Sequence, residues 1–147
     1  IDGLKKLEYR GYDSAGIALL SKGELIVRKQ KGKIVNLEKE IADENLQGTT
    51  GIGHTRWATH GVPSDLNAHP HTNEDGSIAI VHNGIVENYM DLRKWLIEEH
   101  HVSFRTDTDS EVIAHLISVL NEGNLEDAVL AAVKMMKGAY AFAAISK

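Results

Sequence analysis

Apolar residues recur along this chain in short runs, separated by glycine and polar turns. Residues 15–20 and 24–28 are β-prone, and Ser21-Lys22-Gly23 joins them, which predicts a hairpin. Ile34, Val35, Leu37 and Ile41 then follow helical spacing and predict an amphipathic helix over 34–44. Upstream, Ile1, Leu4 and Leu7 are already in helical spacing, with neither a methionine nor a capping residue before them. They read as the back half of a helix stopped at Gly11, and the expectation is that an N-terminal segment has been cut away. A β-like run at 49–52 precedes Gly53, and 77–82 has the composition of a buried strand. Helical spacing at Met90, Trp95 and Leu96 predicts a helix over 89–99. Asn83-Gly84 is therefore expected to be a strand-to-helix turn whose exposed N–H groups favour developing negative charge. Val112, Ile113, Leu116, Ile117 and Leu120 predict a helix over 111–120. Another is predicted over 125–137, ending at Gly138, and a last β-like run covers 139–145. No repeat, low-complexity tract or interdomain linker interrupts the pattern.

With 147 residues, 42% hydrophobic and 25% charged, the chain has the size and balance of one globular domain with a substantial core. A net charge of −5 and a pI near 5.9 speak against nucleic-acid or bilayer-surface binding, since no basic face is present. No apolar run approaches membrane-spanning length and no signal-peptide pattern opens the chain, so the cytoplasm is the expected compartment. The cysteine count of 0 excludes a disulfide framework, a thiolate metal site and a thiol nucleophile within these residues.

The densest chemistry lies in Gly53-His54-Thr55-Arg56-Trp57-Ala58-Thr59-His60-Gly61, expected to be a loop leaving the strand before it. Arg56 offers a planar, bidentate grip on a carboxylate, and Trp57 a large flat lid. Thr55, Thr59, His54 and His60 add groups that donate or accept. The plainer alternative makes Trp57 a core anchor with Arg56 as its surface neighbour. Asp13 and Ser14 could simply shape the turn after Gly11, and Asp109 or Ser110 could be only an N-cap. The chain has 8 histidines, but no HExxH or comparable ligand framework supports a metal site. Neither GxGxxG nor GxxxxGK[ST] occurs, and no nucleophile elbow supports a serine triad. No cofactor and no metal are expected.

Tyr9-Arg10-Gly11-Tyr12-Asp13-Ser14-Ala15-Gly16, the segment from Gly53 to Gly61, Asn67-Ala68-His69-Pro70-His71, His82-Asn83-Gly84-Ile85-Val86-Glu87-Asn88 and Thr108-Asp109-Ser110-Glu111-Val112-Ile113 occur in that order across almost the whole chain. Together they closely resemble the glutaminase domain of the glucosamine-6-phosphate synthases. These are the isomerizing glutamine:fructose-6-phosphate aminotransferases, class II glutamine amidotransferases of the N-terminal-nucleophile hydrolase type. The purine-pathway phosphoribosyl amidotransferases differ at the same places. They carry Gln-His before the first Arg-Gly and Tyr-Ser after the second motif's arginine, where this chain has Glu8-Tyr9 and Trp57-Ala58.

The resemblance implies an α+β fold, a four-layer αββα sandwich, incomplete here because the first strand and the later strands fall outside residues 1–147. It implies that Arg56 clamps the α-carboxylate of L-glutamine, that Thr59 and His60 finish that end of the pocket, and that Asp109 pairs with the α-ammonium. Asn83 through its side-chain amide and Gly84 through its N–H would form the oxyanion hole. Trp57 would belong to the loop that closes over glutamine, and Arg10 and Asp13 would support the site by helping to organise the first strand and the missing N-terminus. Paired charges suit an amino-acid substrate independently of any family, because it carries one carboxylate and one ammonium.

In that family the attacking group is the thiolate of an N-terminal cysteine. This chain begins at Ile1, so it is expected to be a fragment of the amidotransferase domain that releases no glutamate from glutamine by itself. The isomerase domain that handles fructose 6-phosphate is likewise expected elsewhere, in a full-length enzyme that forms a homo-oligomer. Two alternatives stay open: a catalytically dead glutamine-binding module, and an amidotransferase serving another acceptor.

Overall fold

The computed structural model describes residues 1–57 and 62–147. The predicted hairpin is formed by β1 (Ser14–Ser21) and β2 (Glu24–Lys31), paired antiparallel from Ser14↔Lys31 to Ser21↔Glu24. Its two-residue turn has positive φ at both positions, 52° at Lys22 and 82° at Gly23, the handedness that matches the twist of paired strands. Strand β3 (Thr50–Arg56) pairs with the other side of β1, placing Ser14 opposite Arg56 and Gly16 opposite His54.

A second three-stranded sheet has the order β4 (His71–Thr72), β5 (Ile78–Gly84), β6 (Tyr140–Ser146), again antiparallel. The two sheets pack face to face through Ala18, Ala79 and Ile145, with Leu20, Leu25, Val27 and Ile52 around them. Helix α1 (Asp2–Lys5) and helix α2 (Ile34–Ile41) cover the first sheet, where Leu4, Ala15, Ile34 and Leu37 form a small core. Helices α3 (Tyr89–His100), α4 (Asp109–Val119) and α5 (Leu125–Met135) cover the second over a larger core that includes Ile78, Ile80, Leu96, Ile113, Leu116 and Ile117. The order helix, sheet, sheet, helix is the four-layer αββα arrangement.

Several expectations need correction. The first eleven residues are not one continuous helix: α1 ends at Lys5 and a separate 3₁₀ turn covers Glu8–Arg10. The second helix stops at Ile41. On α3 the buried positions are Leu92 and Leu96, whereas Met90 is exposed. Helix α4 has no polar face at its start, since Ser110, Glu111 and His115 are buried along with its apolar residues. Its cap is Thr108, whose side chain accepts from the Glu111 N–H, not Asp109 or Ser110. Trp57, offered as a possible core anchor, is 72% exposed.

The segment leading into β4 is tied to the hairpin by the half-buried Lys29 and by the Lys31 N–H, which donates to Asp65 Oδ1 at 2.6 Å. Lys29 Nζ donates to the carbonyl oxygens of Leu66 and Ala68, each at 2.8 Å, and of Pro70 at 3.2 Å. Glycine at position 16 makes room for this crossing, because a Cβ there would stand 2.2 Å from the His69 carbonyl oxygen.

Candidate glutaminase site

Residues of both sheets meet in a cleft of about 230 Å³ lined by Arg56, Trp57, Asn83, Gly84, Asp109 and their neighbours. Strand β3 does not end at Ile52 as the apolar pattern suggested. It runs on through His54 and Arg56, which are buried at 8% and 4% exposure while Thr55 between them is less so. Alternation along a strand thus turns two polar side chains inward.

Arg56 is held from the first motif. Its Nη1 lies 3.6 Å from Asp13 Oδ1, and the Asp13 N–H donates to the Arg56 carbonyl at 2.8 Å. Burial pulls the guanidinium below its ordinary range, while the carboxylates of Asp13 and Asp109 favour the charged form. Asp109 opens α4, 3% exposed, and its Oδ2 accepts the Val86 N–H at 3.0 Å. A buried arginine and a buried carboxylate therefore line the same cleft.

Asn83 and Gly84 do not form the expected strand-to-helix turn. Both belong to β5, paired with Ala141 and Tyr140, and α3 begins only at Tyr89. Any donor here is supplied by a strand end and not by a helix terminus. Gly84 has φ +110°, and a Cβ at that position would meet the Ala139 carbonyl oxygen at 2.2 Å. The next N–H, that of Ile85, donates to this same oxygen at 3.1 Å. Alternation in an antiparallel ladder then turns the Gly84 N–H away from β6, towards the side where β4 has already ended.

Beneath the cleft lies a stack of buried histidines. The His82 N–H donates to His69 Nδ1 at 3.1 Å, so His69 carries its proton on Nε2, which faces Ser110 Oγ at 3.4 Å. Ser110 Oγ is also 2.8 Å from His82 Nδ1, and its hydroxyl donates to Asp109 Oδ1 at 3.5 Å. His54 stacks on His69 with centroids 4.4 Å apart, and its Nε2 is 2.9 Å from Asn83 Oδ1. Burial, reinforced by the neighbouring imidazoles and Arg56, lowers the pKa of His54, His69 and His71, which keeps these rings neutral near pH 7. Among the described residues no group of three His, Asp or Glu side chains is arranged to hold a metal ion.

The structure thus gathers Arg56, Trp57, Asn83, Gly84 and Asp109 into one cleft, with Arg10 on its rim and Asp13 behind Arg56. Trp57 leans over Gly11, where a Cβ would stand 3.6 Å from its Cζ3. Thr59 and His60 lie outside the described residues. Sequence reasoning missed the roles of His54, His69, His82 and Ser110 as the floor of the cleft. For His54 the signal was its alternation with Arg56 along β3, which an apolar pattern reads as loop; His69, before β4, and Ser110, on α4, carried no such signal.

Residues 54–147 match the family described as the glutamine amidotransferase domain. The chain belongs to that family. The amidotransferase domain is also 55% identical, over 99% of this chain, to the isomerizing glutamine–fructose-6-phosphate aminotransferase of Clostridium acetobutylicum, and 58% identical over the same share to that of Aquifex aeolicus. It spans 24% of the length of each of these relatives. Among solved structures, the glutamine phosphoribosylpyrophosphate amidotransferase of B. subtilis superposes with a TM-score of 0.81 at 33% identity, over 98% of this chain and 31% of that one. No helix among the described residues is long and apolar enough to cross a membrane.

Proposed function

We propose that the cleft binds L-glutamine and that residues 1–147 are the glutaminase portion of an isomerizing glutamine:fructose-6-phosphate aminotransferase. The observation that carries this reading is the meeting, in one cleft, of a buried Arg56 and a buried Asp109 with the Asn83 amide and the Gly84 N–H. Arg56 grips the α-carboxylate and Asp109 the α-ammonium, so the side-chain amide of glutamine extends towards Asn83. Thr59 and His60 complete the carboxylate end, and Trp57 folds over the bound amino acid. The reaction consumes water and releases glutamate and ammonia. Asn83 Nδ2 and the Gly84 N–H donate to the carbonyl oxygen as it gains charge in the tetrahedral intermediate. The 147 residues contain no cysteine, so in this reading the attacking thiolate comes from outside them.

Fructose 6-phosphate is the partner of an isomerase domain that is likewise no part of these residues. The identities of 55% and 58% to aminotransferases of that acceptor, against 33% to the phosphoribosyl enzyme, support this choice. The Trp57 and Glu8-Tyr9 positions point the same way. The reading further assigns the full-length enzyme to the cytoplasm as a homo-oligomer that needs no cofactor, nucleic acid or membrane.

The test is glutamate release by the full-length protein, with and without fructose 6-phosphate, alongside calorimetric titration with L-glutamine. Glutamate release coupled to glucosamine 6-phosphate formation is the expected result. Glutamine binding without turnover would instead establish the dead binding module, and turnover indifferent to fructose 6-phosphate would point to another acceptor.

A further inference from the structure

An asparagine amide in an oxyanion hole works only in one of its two orientations. With Nδ2 in the cleft it donates to the developing oxyanion, and with Oδ1 there it repels it. Asn83 is exposed to the cleft at the end of β5, so its own backbone does not choose between them. What faces Asn83 Oδ1 is His54 Nε2, at 2.9 Å, reaching across from the other sheet.

Because burial keeps the ring neutral, His54 has one proton to place. Among the described residues Nδ1 has no hydrogen-bond partner and no solvent. A proton there would be a buried donor with nothing to bond, whereas a proton on Nε2 meets Asn83 Oδ1 directly. The ring itself has little freedom. It stacks on His69, 30° from parallel, and His69 is in turn pinned by the His82 N–H and Ser110.

We infer that His54 is a positioning residue: as the Nε2–H tautomer it holds Asn83 Oδ1 and thereby turns Asn83 Nδ2 into the cleft. The inference rests on the assignment of Asn83 to the oxyanion hole and adds the group that makes this asparagine a donor. It also explains why a neutral imidazole is buried beneath a site built to handle negative charge.

The full-length protein is assayed for glutamate release with His54→Leu, His54→Gln, Asn83→Ala and the double variant His54→Leu/Asn83→Ala. His54→Leu should lower kcat about 10- to 100-fold, the range for losing an outer partner that orients a functional group. KM for glutamine should stay within about twofold, because the carboxylate and ammonium grips are untouched. His54→Gln, which keeps an N–H near the same place, should recover most of the rate. The double variant should be no slower than Asn83→Ala alone. Unchanged kcat in His54→Leu, or an equal further loss on the Asn83→Ala background, would overturn the inference.

Side-chain amide ¹⁵N resonances of Asn83 separate this from failure of the oxyanion assignment. They should move in His54→Leu and return in His54→Gln even if Asn83→Ala turns over normally, and resonances unmoved in His54→Leu would overturn the positioning role. If His54→Leu does not fold, His54→Asn replaces it, since its shorter side chain falls short of Asn83.

Discussion

Arg56 Nη1 stands 3.6 Å from Asp13 Oδ1, and the two belong to segments more than forty positions apart that β1 and β3 bring side by side. Asp13 is a counter-charge beside the arginine, and in the proposed function it orients the guanidinium towards the substrate carboxylate. Asp13→Asn keeps the shape and removes the charge. It should raise KM for glutamine and destabilise the fold by about 1–3 kcal/mol, the cost of leaving a buried polar group less well paired. Urea denaturation and steady-state kinetics of the full-length protein check both effects, and an unchanged KM would show that Asp13 does not orient Arg56.

In the proposed mechanism, Asn83→Ala removes one oxyanion donor without touching the groups that hold the amino-acid end. It should lower kcat by about 10²–10³ while KM changes little. A variant that mainly raises KM would place Asn83 in ground-state binding instead.

Gly84→Ala tests the backbone on its own. The residue combines φ +110° with a would-be Cβ 2.2 Å from a carbonyl oxygen, so alanine must both strain the chain and push β6 away. A stability loss of at least about 1–3 kcal/mol is expected from the conformation alone, with loss of turnover because the N–H moves. Thermal unfolding reports the first and glutamate release the second.

Acid should weaken the domain in two windows. His54, His69 and His71 have folded-state pKa values lowered from 6.5, chiefly by burial, so below pH 6.5 the unfolded chain takes up protons that the folded chain refuses. Stability is full above that value and falls as pH drops through it, by up to about 1.4 kcal/mol per pH unit for each histidine. Glu111 adds the second window. Burial alone would raise its pKa, but hydrogen bonds from His115, from the N–H groups of Arg105 and Thr106, and from the Thr106 hydroxyl outweigh it and bring it to about 2 from 4.5. Its contribution is present above 4.5 and is lost as pH falls towards 2. Urea midpoints at pH 7.5, 5.5 and 3.5, chosen as roughly bracketing these windows, should fall in two stages, with Glu111→Gln flattening only the lower one.

How far the sequence could be read depended on which side chains carried the information. The β1–β2 hairpin announced itself through Ser21-Lys22-Gly23 between β-prone runs, and the glycine has the positive φ that the turn requires. The apolar residues of α4 were visible in the same way. The ends of β3 and β5 were not, because His54, Arg56, His82 and Asn83 are polar and three of them are buried. Apolar periodicity reports burial only where burial is achieved by apolar groups. Here it is achieved by hydrogen bonds between imidazoles, a serine and an asparagine, and by an arginine between two carboxylates.

By itself the sequence determined most of the local elements, the five motifs in their order, and the chemical kinds of group available: a guanidinium, carboxylates, a side-chain amide beside a glycine, and no thiol. These follow from short-range preferences and residue identity, which need no knowledge of distant contacts. Only the tertiary structure decided that Asp13 stands behind Arg56, that Gly84 lies at a strand end, and that His54 meets Asn83 across the two sheets. Each depends on strand register or on the facing of two sheets, and those are settled by packing among residues far apart in the chain.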